Sequence, residues 1–144
     1  MKDPNTAAST ANSNDSAWLA NLDKPITGYE RIFGQVRTAA SPRTRGAVAD
    51  VAALAAKGRL TVADLQRQQF ANRSTSGALA AADAARACAA LPGGTATGSA
   101  GTAVDVGQAC GVLASWDRTM NSDSRGALLF DRFWRKLLGA VPSA

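Results

Sequence analysis

The chain of 144 residues contains no histidine. That absence removes a Ser-His-Asp triad, an imidazole general base and most zinc sites. Aromatic residues are scarce at 6%, with a single tyrosine. No apolar run approaches the roughly 20 residues that a membrane-spanning helix needs. The N-terminus also lacks the charged-then-apolar pattern of a signal peptide, so any export signal lies outside this sequence. The two cysteines, Cys88 and Cys110, are too far apart for a Cys-x-x-Cys motif. They fall in two segments that read as helices joined by a flexible loop. Antiparallel packing would bring them together as a disulfide, the favoured reading, which implies an oxidising compartment. Two buried reduced thiols in an alanine-rich core remain the other reading.

What is present is enough for one domain with a real core, since 46% of the residues are hydrophobic. The net charge is +5, and arginine greatly outnumbers lysine. The densest basic groups, Arg43 with Arg45 and Arg132 with Arg135 and Lys136, have acids nearby and few aromatics between them. This pattern fits charges spread over helix surfaces better than a nucleic-acid footprint.

Along the chain, Ser41-Pro42 offers a serine N-cap and a proline at the first helical position. Val48, Val51, Leu54 and Ala55 follow with the spacing of one buried helical stripe, and Gly58 is a stop. Thr61-Val62-Ala63-Asp64 resembles a capping box with Asp replacing the usual Glu, and it opens a short helix. A third, alanine-rich helix is expected to start near Ser76-Gly77 and run to residue 90. Residues 93–101 read as a flexible Gly/Thr/Ala/Ser loop. A fourth helix is expected over 103–116, and a fifth, with the strongest apolar pattern, over 127–138. In that pattern Phe130, Phe133 and Trp134 read as core or interface. No segment alternates well enough for a strand, except beside the loop described next. The expected fold class is mainly α, with about five helices and long loops.

The run Asn12-Ser13-Asn14-Asp15-Ser16-Ala17-Trp18-Leu19 is poor helix and strand material, but suits a tight loop braced by its own side chains and aiming amide donors outward. Asp15 reads as a structural hydrogen-bond acceptor rather than a catalytic acid. Trp18 either lines a pocket or packs on the first helix. Arg43 and Arg45 sit in the first turn of that helix, where each cation is unfavourable by roughly 0.3–1 kcal/mol, a hint that they serve something other than helix stability.

Several segments, taken in order, resemble the β-chain of the penicillin acylase family of N-terminal-nucleophile hydrolases, in particular acylases of the aculeacin A and acyl-homoserine lactone type. The carrying pieces are the Asn12 to Leu19 run, Lys24-Pro25-Ile26-Thr27-Gly28-Tyr29 and Pro42-Arg43-Thr44-Arg45. Further on come Leu60-Thr61-Val62-Ala63-Asp64-Leu65-Gln66, Leu113-Ala114-Ser115-Trp116-Asp117 and Gly126-Ala127-Leu128-Leu129-Phe130 with Phe133-Trp134. The resemblance implies that residues 12–140 are the helical part of an acylase β-chain, a partial piece of an αββα fold. Residues 1–11 are expected to be a non-homologous or disordered lead, from a late start or a truncated reading frame.

The resemblance also implies a chemistry that needs neither histidine nor any cofactor or metal. An N-terminal serine, exposed by autoproteolysis, attacks an acyl amide while its own α-amine serves as base. By motif match Asn14 is the oxyanion donor, and Arg43, with Arg45 as competitor, orients it; Trp18 is the candidate substrate contact. The implied partners are the acylase α-chain, the N-terminal part of the β-chain and a small acylated amide, with no nucleic acid and no membrane. The full-length family enzyme is expected to be secreted or periplasmic. This chain lacks the serine and is expected to be inactive alone. A small basic helical module that binds a protein or nucleic acid is the alternative of a different class.

Overall fold

The computed structural model describes residues 10–140. Most of the expected lead falls on residues 1–9, outside the described residues. The chain divides into two compact units, Met1–Gln68 and Gln69–Ala144.

The first unit carries two 3-10 turns, Ala17–Ala20 and Arg31–Phe33, followed by α1 (Pro42–Lys57) and α2 (Val62–Gln69), which ends at the division. Helix α1 begins as its sequence dictates. Ser41 is the N-cap, its hydroxyl accepts the Thr44 N–H, and Pro42 occupies the first turn. Helix α2 carries the reciprocal cap expected of Thr61 and Asp64. Thr61 N–H donates to Asp64 at 2.9 Å, and Asp64 N–H donates to the Thr61 hydroxyl at 3.2 Å. Asp64 is also paired with Lys57 and Arg67. The expected apolar stripe of α1 is not buried. Val51 and Ala55 are exposed, Val48 and Leu54 half-buried, and Thr44 is the buried residue of the helix. The spacing is right, but the described part of this unit supplies little apolar surface to meet it.

The second unit contains α3 (Thr75–Ala89), β1 (Thr95–Thr97), β2 (Ala103–Asp105), α4 (Gly107–Ala114) and α5 (Ala127–Ala140). Five α-helices make the described residues mainly helical, as the sequence leads one to expect. Three details differ. Helix α3 is capped by Ser74, whose hydroxyl accepts the Gly77 N–H at 3.0 Å, two residues before the expected start. Residues 93–101 are not a featureless loop, since they contain β1. Residues 103–105 are not helical; they form β2, antiparallel to β1 in the register Thr95↔Asp105, Ala96↔Val104 and Thr97↔Ala103. Strands of three residues are too short for alternation to announce them. Asp105 then turns the chain toward α4 by accepting the Gly107 N–H at 2.9 Å.

The core of this unit joins Ala81 and Ala85 of α3, Leu113 of α4, Trp116, and Ala127 and Phe130 of α5. The small residues of α3 allow close helix approach, and Cys88 and Cys110 join α3 to α4 as a disulfide with Cα atoms 5.4 Å apart. Phe130, 2% exposed, sits 4.7 Å from the Trp116 ring and 5.8 Å from the Trp134 ring, centroid to centroid. Phe133 lies 6.2 Å from Phe130 but stays 38% exposed, so it edges the core rather than filling it. Trp116 lies so close to Gly77 and Gly126 that a Cβ at either position would stand 2.6 Å or 2.9 Å from its side chain. Its indole N–H donates to the Thr119 carbonyl at 3.0 Å and the Ser124 hydroxyl at 2.9 Å.

Candidate functional site

The asparagine-rich run folds into a small closed loop. Its ends are tied by the Ala11 N–H donating to the Ala20 carbonyl at 2.9 Å, and Leu19, 6% exposed, is its one buried apolar anchor. At the tip Asn14 takes a left-handed conformation with φ 60°, which asparagine tolerates better than most residues. Its N–H donates to Oδ1 of Asn12 at 2.9 Å.

Two ties attach the loop to the rest of the first unit. Asp15 forms one: its Oδ2 accepts the Ser41 N–H at 3.2 Å, the Ser41 hydroxyl at 2.9 Å and the Thr44 hydroxyl. These donors, the Thr44 hydroxyl foremost, hold the Asp15 carboxyl below the usual carboxylate range, with a smaller contribution from the Arg43 charge. The second tie runs through Tyr29. Its hydroxyl accepts the Trp18 N–H at 2.8 Å and donates to the Gln35 carbonyl at 3.2 Å, and the Ser16 hydroxyl bonds to the same carbonyl. The Trp18 indole N–H donates to the Thr38 carbonyl at 3.1 Å, leaving its ring half-buried.

Asn14 and Arg43 come together across this arrangement. Nη1 of Arg43 donates to Oδ1 of Asn14 at 3.4 Å. Arg45 lies one residue beyond the buried Thr44 and is exposed. A guanidinium has donors only, so the atom of the Asn14 carboxamide that faces it is the oxygen. The NH2 end is left to point elsewhere as a donor. A cavity of about 270 Å³ opens between the loop and Thr44, lined by Asn12, Ser13, Asp15 and Leu19 among others. Asn14, Arg43 and Trp18 do not line it, whereas Asp15 and Thr44, which tie the loop to α1, do.

The sequence singled out Asn14, Arg43, Arg45 and Trp18. It did not single out Thr44, Tyr29 or Thr38, which fix the loop. A signal for Thr44 was present: Ser41-x-x-Thr44 places two hydroxyls on one helical turn, ready for an acceptor from outside the helix.

Comparison with known proteins bears on what this arrangement is for. The sequence model of the family described as penicillin amidase matches residues 3–143. The chain belongs to the penicillin amidase family. It is 40% identical over 129 residues to aculeacin-A acylase of Actinoplanes utahensis, a match covering 85% of this chain and 16% of that protein. It is 44% identical over 54 residues to the acyl-homoserine lactone acylase PvdQ of Pseudomonas fluorescens (strain Pf0-1), covering 38% of this chain and 7% of that protein. This penicillin amidase-family chain therefore spans a small part of the length of the curated relatives it matches. Among its described residues no helix is long and apolar enough to cross a membrane.

Proposed function

We propose that this chain is one wall of the active site of an acylase that hydrolyses the amide bond of an acylated amine. The candidate substrates are penicillin-type antibiotics, acyl-homoserine lactones and lipopeptide acyl chains. The nucleophile is an N-terminal serine supplied by a segment outside these 144 residues, so the chain alone is inactive. That serine's hydroxyl oxygen attacks the acyl carbon, its α-amine takes the proton and gives it to the amine nitrogen as the C–N bond breaks, and water then hydrolyses the acyl-serine to free the acid and the serine. The Asn14 amide donates to the oxyanion that forms, which is where a preorganised donor lowers the barrier most.

The observation that carries this reading is the Arg43 guanidinium facing Oδ1 of Asn14, which leaves the amide NH2 as the offered group. Family membership supports the acylase class. Arg43 is the orienting arginine in this reading, and Arg45 is a surface residue of α1. Trp18 borders the acyl chain through the exposed part of its ring. The partners are the acylase α-chain and the N-terminal part of the β-chain. Their contact surface includes Ile32 and Phe33, which stand 87% and 71% exposed, and Leu128, 68% exposed. Export to an oxidising compartment agrees with the Cys88–Cys110 disulfide.

The test is to co-express the chain with the remaining acylase segments and compare amide hydrolysis by wild type and Asn14→Ala. Loss of one oxyanion donor costs about 10²–10³-fold in kcat. An assembled enzyme whose Asn14→Ala variant keeps its rate removes Asn14 from the oxyanion hole.

A further inference from the structure

Arg43 cannot hold Asn14 in place unaided. Its side chain is long and exposed, and the 3.4 Å contact lies at the outer limit of a hydrogen bond. Something stiffer must set the loop against the helix.

We propose that Asp15 is a positioning residue, whose carboxylate pins the loop to the first turn of α1 so that Arg43 meets Asn14 with the asparagine amide held outward. The proposal rests on the acylase reading of Asn14 given above. Three donors converge on one oxygen, Oδ2 of Asp15, from Ser41 and Thr44. In sequence those two residues bracket Arg43, while Asp15 is the immediate neighbour of Asn14. The pin therefore grips both partners of the Asn14–Arg43 contact at one remove. Thr44 is 1% exposed, so in the folded chain its hydroxyl is satisfied by protein, accepting from the Ser41 hydroxyl and donating to Asp15. Bonds to an ionised carboxylate are the shorter and stronger kind. Asp15 directly follows the left-handed turn at Asn14, where φ is 60°. The cavity beside this pin contacts Asp15 and Thr44 and not Asn14, which agrees with a supporting role behind the acting residue.

The experiment compares Asp15→Ala, Asp15→Asn and Thr44→Val with Asn14→Ala. Each is read two ways: NMR relaxation of the Asn14 side-chain amide in the chain itself, and kcat and KM in the co-expressed acylase. Asp15→Ala is expected to release the Asn14 amide into fast motion and to lower kcat by about 10²-fold with little change in KM, as misplacement of a catalytic group does. Asp15→Asn, whose amide oxygen can occupy the place of Oδ2, restores part of the loss, the remainder being what the ionised carboxylate adds to the same bonds. Thr44→Val keeps the buried volume and removes one donor, so it reproduces a smaller part of both effects. Should Asp15→Ala fail to fold, Thr44→Val decides. An Asn14 amide as rigid in Asp15→Ala or Thr44→Val as in wild type overturns the proposal. The same holds if kcat survives in Asp15→Ala while Asn14→Ala loses it. Loss of neither rate counts instead against the acylase role of Asn14, and the relaxation data then judge the pin by themselves.

Discussion

Between Gln69 and Ala144, among the described residues, the buried side chains are apolar: Ala81, Ala85, Cys110, Leu113, Trp116, Ala127 and Phe130. Between Met1 and Gln68, among the described residues, they are Leu19, Thr44 and Asp64, two of them polar. The second unit is thus held by a core and a disulfide, and the first by hydrogen bonds and ion pairs aimed at particular atoms. The difference follows from what each kind of force can do. Apolar burial stabilises without direction, whereas a hydrogen bond fixes an angle and a distance. In the function proposed above the loop presents the Asn14 amide in one orientation, which calls for directional ties such as those of the first unit. The second unit stays folded around an apolar core that needs no such direction.

The comparison breaks first, if it breaks, at Phe130. Truncation to alanine empties the space shared with Trp116 and Trp134, and removal of a buried phenylalanine costs about 3–5 kcal/mol. Thermal unfolding followed separately at the Trp116 and Trp18 indole N–H signals should show the first falling sharply and the second moving little. If both fall together, the two units melt as one and the contrast between them is false. A smaller effect is expected from replacing Cys88 and Cys110 together by serine. The two cysteines are 22 residues apart, and the bond between them contributes about 3 kcal/mol by restricting the unfolded chain. Denaturant unfolding of wild type with and without reductant should give the same loss as the double variant. A loss no larger than a few tenths would mean that the core alone holds α3 to α4.

The same contrast governs what could be read in advance. Helices α1, α2 and α5 were legible because their signals are local: the Ser41-Pro42 start, the Thr61/Asp64 box and the apolar pattern around Phe130 each sit within one or two turns. The hairpin of β1 and β2 was not, since three-residue strands carry no period and each residue pairs with a partner beyond the intervening turn, as Ala96 does with Val104. Burial was the least legible quantity. Val48, Val51 and Leu54 have core spacing, yet they meet little within the described part of the first unit. At the site, it was the family resemblance that marked Asn14 and Arg43, with Arg45 as competitor; in the fold Arg43 meets Asn14 while Arg45 is exposed. Thr44, Tyr29 and Thr38 escaped notice because their work is to bond a loop distant from them in sequence.

The mildest way to probe the comparison is acid. Asp15 is held below the usual carboxylate range chiefly by the Thr44 hydroxyl, and Asp64 well below it chiefly by its bond with Lys57. A carboxyl whose folded pKa is depressed stabilises fully above its unfolded value, about 3.9 for aspartate, and that contribution fades as pH falls through the depressed folded value. The first unit should therefore be unchanged from neutral pH down to about 4 and loosen below it. In the second unit Asp117 is depressed in the same direction, first by the Ser124 hydroxyl, but it braces a turn beside a core that does not titrate. A pH titration that follows the Trp18 and Trp116 indole signals should find Trp18 released at the higher pH of the two. Coincident transitions, or a Trp18 change already under way near pH 6, would show that ionised carboxylates are not what distinguishes the site-bearing unit from the scaffold.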